Sequence, residues 1–145
     1  MTRDKEALLK QYELMIGSAN QVTAWRQTMN GFYLTVNTTL LAVAAYFFSS
    51  AAITVAVISL IGIATAILWK QNISYYRKLN EAKFKVIHEI EKSLPVDMFR
   101  LEHEHYRREK CNDATQIESK IPWLFGIAYA LVLIIQVLQY LKISI

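Results

Sequence analysis

Between Arg26 and Lys70 the chain runs for 43 consecutive residues without a charged side chain, and between Lys120 and Lys142 for 21 more. A water-soluble domain carries roughly one charged residue in four, and few soluble folds sustain gaps of that length. Composition agrees, with 54% hydrophobic and only 19% charged residues over a 145-residue chain. Four glycines and two prolines exclude collagen-like repeats, and this much apolar surface excludes a disordered chain. The class implied is an all-α integral membrane protein, and the length allows a single membrane domain.

A spanning helix needs about 20 apolar residues to cross roughly 30 Å of hydrocarbon. Three segments qualify on that reading: 32–48 (FYLTVNTTLLAVAAYFF), 51–69 (AAITVAVISLIGIATAILW) and 121–141 (IPWLFGIAYALVLIIQVLQYL). One helix over the first two would be about 57 Å long, too long for one crossing, so a hairpin turning at Ser49–Ser50 is expected. Pro122 falls where a first-turn proline is tolerated. Trp69, Trp123 and Tyr140 stand at segment ends, as in an aromatic belt.

Charge sets the expected orientation. Segment 70–120 carries eleven Lys and Arg and the first 30 residues carry four, against none in the 49–50 turn and only Lys142 after the last span. The positive-inside rule then puts the N-terminal arm and segment 70–120 in the cytoplasm and the C-terminus outside. The net charge of +4 is a feature of membrane orientation and not a nucleic-acid footprint. Lys70, Arg77, Lys78 and Lys120, near the cytoplasmic interface, are expected to meet anionic headgroups. The first 30 residues contain seven charges and no compact apolar core with a small-residue cleavage site, unlike a signal peptide.

The cytoplasmic parts read as helices. In the arm, 1–30, the residues Leu8, Tyr12, Met15, Ala19, Val22, Trp25 and Met29 recur at helical spacing and form an apolar stripe. A stalk is expected over 70–94, supported by i,i+4 pairs Glu81–Lys85 and Lys85–Glu89 and ended by Pro95. A charged helix (96–110) and a loop (111–119) complete segment 95–120. Cys111, the one cysteine, allows no intrachain disulfide.

Polar and small residues at membrane depth are the next signal. Asn37, flanked by Thr38, and Gln136 are expensive in lipid and should bond a neighbouring helix or line a watery cavity. Ala56, Ser59, Gly62 and Ala66 form a stripe on the second span. Gly62-x-x-x-Ala66 and Gly126-x-x-x-Ala130 are small-residue pairs that permit close helix packing.

Catalytic signals are thin. Glu102-His103-Glu104-His105 puts two histidines about 200° apart on a helix, which suits no metal site. Cys111 near His105 lacks the positioned base and oxyanion donor that nucleophilic catalysis requires. No phosphate-binding glycine loop is present. The expectation is a protein with no metal, no cofactor and no enzymatic activity. An enzyme using His88, His103 or His105 stands as the alternative from another class.

Two stretches carry a more specific likeness. Trp25-Arg26-Gln27-x-x-Asn30-x-Phe32-Tyr33-Leu34-Thr35-Val36-Asn37-Thr38 resembles the arm-into-first-span signature of the RipA-like octameric membrane proteins of bacteria. Tyr76-Arg77-Lys78-Leu79-Asn80-x-Ala82-Lys83-Phe84-Lys85-Val86-Ile87-His88-Glu89-Ile90-Glu91, closing on Ser93-Leu94-Pro95, is similar to the second signature, and Pro122-Trp123 fits the opening of the last span. The resemblance implies a helical homo-oligomer, an octamer, in the bacterial inner membrane, and implies no defined activity. The expected product is a ring: a channel or pore, or else a passive scaffold that organises lipid or recruits a cytoplasmic partner. Trp25, Arg26, Asn30, Asn80, Lys83, Lys85, His88, Glu89 and Glu91 form its expected cytoplasmic assembly surface.

Overall fold

The computed structural model describes residues 3–108 and 117–143. It contains α1 (Arg3–Tyr46), α2 (Ala52–Glu91), α3 (Met98–Arg108) and α4 (Ile121–Ile143), with no strand among the described residues. The chain divides into two compact units. One joins Met1–Gln27 to Ser74–Ala114, and the other joins Thr28–Ile73 to Thr115–Ile145. Cys111 and the expected 111–119 loop lie outside the described residues except at the loop's C-terminal end.

In the apolar unit, the turn between α1 and α2 spans Phe47–Ser50 and contains neither glycine nor proline. Short-range backbone bonds make it instead, Ser50 N–H and Ala51 N–H both donating to the Phe47 carbonyl at 3.1 Å. Along α2 in this unit the buried positions are Val55, Ser59, Gly62, Ala66, Trp69 and Ile73, a three-and-four spacing that faces one stripe inward. The outward residues are the large ones: Ile53, Leu60 and Ile67 on α2, and Leu124, Leu131 and Ile134 on α4. Large aliphatic side chains on the outside, with polar Asn37, Ser59 and Gln136 buried among the apolar ones, depart from the soluble pattern. Among the described residues two helices, α2 and α4, are long and apolar enough to cross a membrane. Only 28% and 17% of their apolar windows is buried, so neither is a soluble core helix in this chain. The expected first span, 32–48, is not in that pair. Asn37 and the threonines at 35, 38 and 39 dilute its apolar character.

In the charged unit, Tyr12, Ala19 and Ile87 form the core, with Met15, Ile16, Phe84, Ile90, Leu94 and Phe99 packed against it. α3 docks through one aromatic side chain: the Phe99 ring meets Tyr12 at 6.4 Å and Phe84 at 5.7 Å, both edge-on. α2 ends at Glu91, three residues short of the expected stalk terminus. The chain tightens there through Ser93 N–H to Ile90 O and Leu94 N–H to Glu91 O, because Pro95 disfavours helical backbone at Leu94. α3 starts at Met98, two residues later than expected.

Candidate functional site

The polar residues of the apolar unit converge on one another. Asn37 is 0% exposed. Its Nδ2 donates to the Tyr33 carbonyl one turn below at 2.8 Å, and its Oδ1 accepts from Thr65 Oγ1 of α2 at 3.2 Å. The Tyr129 hydroxyl of α4 donates to the Asn37 carbonyl at 2.6 Å. Three helices therefore meet at one residue. Polar groups buried together in this way avoid the desolvation cost that each would incur alone in hydrocarbon. Gln136 serves a different end: its Nε2 donates at 2.8 Å to the Phe48 carbonyl in the α1–α2 turn, giving a partner to a group just past the helix end. Thr38 is exposed, and its hydroxyl donates back to the Leu34 carbonyl at 2.8 Å.

The small residues differ in their surroundings within the protomer. A methyl added at Gly62 would overlap the Tyr129 ring, so the glycine makes room for a side chain. Gly126 has open space around it, so it does not mark a close contact within the protomer. Ala66 and Ser59 are buried, and Ala56 and Ala130 are half-buried. The Ser59 hydroxyl has no hydrogen-bond partner among the described residues.

A second cluster near Asn30 joins α1, α2 and the residues leading into α4. Trp69 Nε1 donates to Asn30 Oδ1 at 2.9 Å, Asn30 Nδ2 donates to Glu118 at 3.4 Å, and Asn72 donates to the Tyr33 hydroxyl at 2.7 Å. The Tyr33 and Trp69 rings stack at 6.0 Å. This corrects one sequence reading: Trp69 is buried and not an outward belt residue, its indole N–H meeting the Asn30 acceptor. Trp123 and Tyr140 do face outward, Trp123 carrying the Lys70 ammonium 4.2 Å above its ring.

The charged unit brings together some of the expected assembly residues. Glu91, 1% exposed, accepts from the Tyr12 hydroxyl at 2.9 Å and from the Phe99 backbone N–H at 2.8 Å, both on Oε1. Its Oε2 is buried without a hydrogen bond among the described residues. The carboxylate thus supplies an acceptor to the first turn of α3 from another helix. Lys83 donates to Ser18. Glu81 pairs with Arg77 at 2.9 Å and Glu89 with Lys92 at 2.8 Å, in place of the expected pairs through Lys85, which is exposed. Trp25 is 50% exposed, so the buried stripe passes Ala19 and Val22 and leaves it outside. Arg26 and Asn80 are half-buried, and the His88 ring lies 6.4 Å from Phe84. His105 is exposed, while the side chain of His103 lies outside the described residues. Among the described residues no group of three His, Cys, Asp or Glu is placed to hold a metal ion.

Burial first, then the hydrogen bond to Glu91 and its charge, push the Tyr12 phenol up to about 12 from 10.0. A raised folded-state value favours the protonated native form. Tyr12 therefore contributes stability that is complete below pH 10 and is lost as pH rises through about 12. Alkaline unfolding of Tyr12→Phe, followed by circular dichroism, is expected to be less steep between pH 10 and 12 than that of the unmodified chain. Equal slopes would show that Tyr12 has no part in the alkaline transition.

Sequence reasoning passed over Tyr33, Thr65 and Tyr129, and took Tyr12 only as a core residue. The available signal was Tyr129, a tyrosine in the middle of an aliphatic span, whose hydroxyl must find an acceptor there.

Helices that turn aliphatic side chains outward around an internally bonded polar centre define a membrane-embedded helical protein. The chain belongs to the octameric membrane protein family (8xMP), whose profile matches residues 9–138. No curated protein and no solved structure matches the chain.

Proposed function

We propose that the protein is a non-enzymatic membrane scaffold assembled from eight copies in the bacterial inner membrane. Each copy crosses three times, at 32–48, 51–69 and 121–141, with the arm and segment 70–120 cytoplasmic and the C-terminus outside. The helix lengths support this reading: α1 with 44 residues and α2 with 40 are about 66 and 60 Å long, about twice the hydrocarbon thickness. Threonine hydroxyls in α1 bonded to their own helix carbonyls, Thr35 to Gly31 at 3.0 Å among them, let a less apolar helix enter lipid.

The observation that carries the scaffold reading over the channel is the burial of Asn37 within one protomer. A residue enclosed by its own three helices offers nothing to a lumen between copies. Purified protein reconstituted in planar bilayers is expected to add no single-channel events to the lipid baseline. Discrete conductance steps from the unmodified protein would overturn the scaffold reading. The histidine-dependent enzyme is tested by replacing His88, His103 and His105 together with alanine, which is expected to leave metal content and any cellular phenotype unchanged.

A further inference from the structure

We propose that the charged unit carries the two halves of a head-to-tail contact between copies: Glu6, Lys10 and Glu13 on α1 meet, on the neighbouring copy, Lys92 just past the end of α2 and Glu89 and Lys85 in its last turns. The inference rests on the self-assembly proposed above and names the surface that performs it.

All six side chains are exposed, on faces turned away from the core of Tyr12, Ala19 and Ile87. Read from N- to C-terminus, α1 presents minus, plus, minus at spacings of four and three, and Lys85, Glu89 and Lys92, across the end of α2, present plus, minus, plus at the same spacings. Tyr12 bonding Glu91 and Ser18 bonding Lys83 make the two helices antiparallel in this unit. Copies related by rotation about a ring axis keep that relation, so α1 of one copy faces α2 of the next in antiparallel sense. In that sense Glu6 meets Lys92, Lys10 meets Glu89 and Glu13 meets Lys85. Level with one another to within about one helical turn, about 5 Å, the pairs are within reach of these long side chains.

The same pattern disfavours other arrangements. An antiparallel contact of α1 with α1 sets Glu6 against Glu13 and Lys10 against Lys10, and α2 with α2 likewise opposes like charges. A two-fold dimer through either face is therefore repelled, whereas the heterologous contact is attractive and propagates until a ring closes. Exposed ion pairs are individually weak, so their role is to select register and partner. Leu14 and Val86, exposed beside Glu13 and Lys85, supply apolar area at the same contact. The pairs Lys10–Glu13 and Glu89–Lys92 within each copy are exposed and exchange with intersubunit ones at little cost.

Charge reversal tests this on the full chain in mild detergent, with assembly size read by native mass spectrometry. Glu6→Lys with Glu13→Lys, and separately Lys85→Glu with Lys92→Glu, are each expected to reduce the full-size assembly at least tenfold, and the four substitutions combined to restore it. Full-size assembly in both reversed variants, or no recovery in the combination, overturns the contact. An unmodified chain that does not assemble would instead remove the scaffold reading itself. A second readout does not depend on variant stability. In a Cys111→Ser background, Glu13→Cys with Lys85→Cys should cross-link into a ladder beyond the dimer, while either cysteine alone yields no ladder. A double-cysteine protein that stays uncross-linked or stops at the dimer contradicts the head-to-tail arrangement.

Discussion

Replacing Gly62 by alanine is expected to destabilise the apolar unit by about 3 kcal/mol, made of overpacking and of a broken buried hydrogen bond. The added methyl would occupy the space of the Tyr129 ring. The ring must withdraw, and its hydroxyl then leaves the Asn37 carbonyl it meets at 2.6 Å. Because Tyr129 is 0% exposed, it has no alternative pocket in which to settle without displacing α4. The control is the double replacement Gly62→Ala with Tyr129→Leu, which removes the clash and should recover part of the loss. Tyr129→Phe alone should cost only about 1 kcal/mol, the usual worth of one hydrogen bond between membrane helices. Equilibrium unfolding of the detergent-solubilised protein measures all three. Additive losses from the two changes would show that Gly62 and Tyr129 do not act on each other.

The second large effect is expected at Glu91. Glu91→Ala removes the acceptor for the Tyr12 hydroxyl and for the Phe99 N–H. Two donors left without partners, the Tyr12 hydroxyl buried and the Phe99 N–H partly buried, cost about 2–4 kcal/mol together. The loss is local to the charged unit, since Tyr12, Glu91 and Phe99 all belong to it. Hydrogen exchange should therefore accelerate in α3 and around Tyr12, with α4 unchanged. Glu91→Gln, which retains an acceptor oxygen, should give a much smaller change. Unaltered exchange in α3 after Glu91→Ala would mean that Phe99 packing alone holds that helix.

These two sites show where sequence reading succeeds and where it stops. The uncharged runs 27–69 and 121–141 announce apolar helices because lipid selects on local composition, which needs no knowledge of partners. Asn37 and Gln136 were recognisable as polar residues needing partners for the same reason. Their partners were not recognisable: Tyr129 lies 92 residues from Asn37, and Phe48 lies 88 from Gln136. Gly62 illustrates the limit, since its sequence motif reads as helix-to-helix approach while its space is filled by one aromatic ring. Trp69 illustrates another. A tryptophan at a span end suits an outward belt, yet the acceptor at Asn30, 39 residues away, draws it inward. In the charged unit, spacing exposed the core stripe of Tyr12 and Ala19, but not which neighbour each charge would choose. Glu81 has cations one turn away on either side, Arg77 and Lys85, and only side-chain geometry selects Arg77.

Assembly of this chain through its own surfaces into one closed ring is tested most directly by native mass spectrometry of the unmodified protein, released from mild detergent. The expected result is a single discrete species of eight times the 16.7 kDa chain. A monomer, a dimer or a continuous ladder of masses would contradict it.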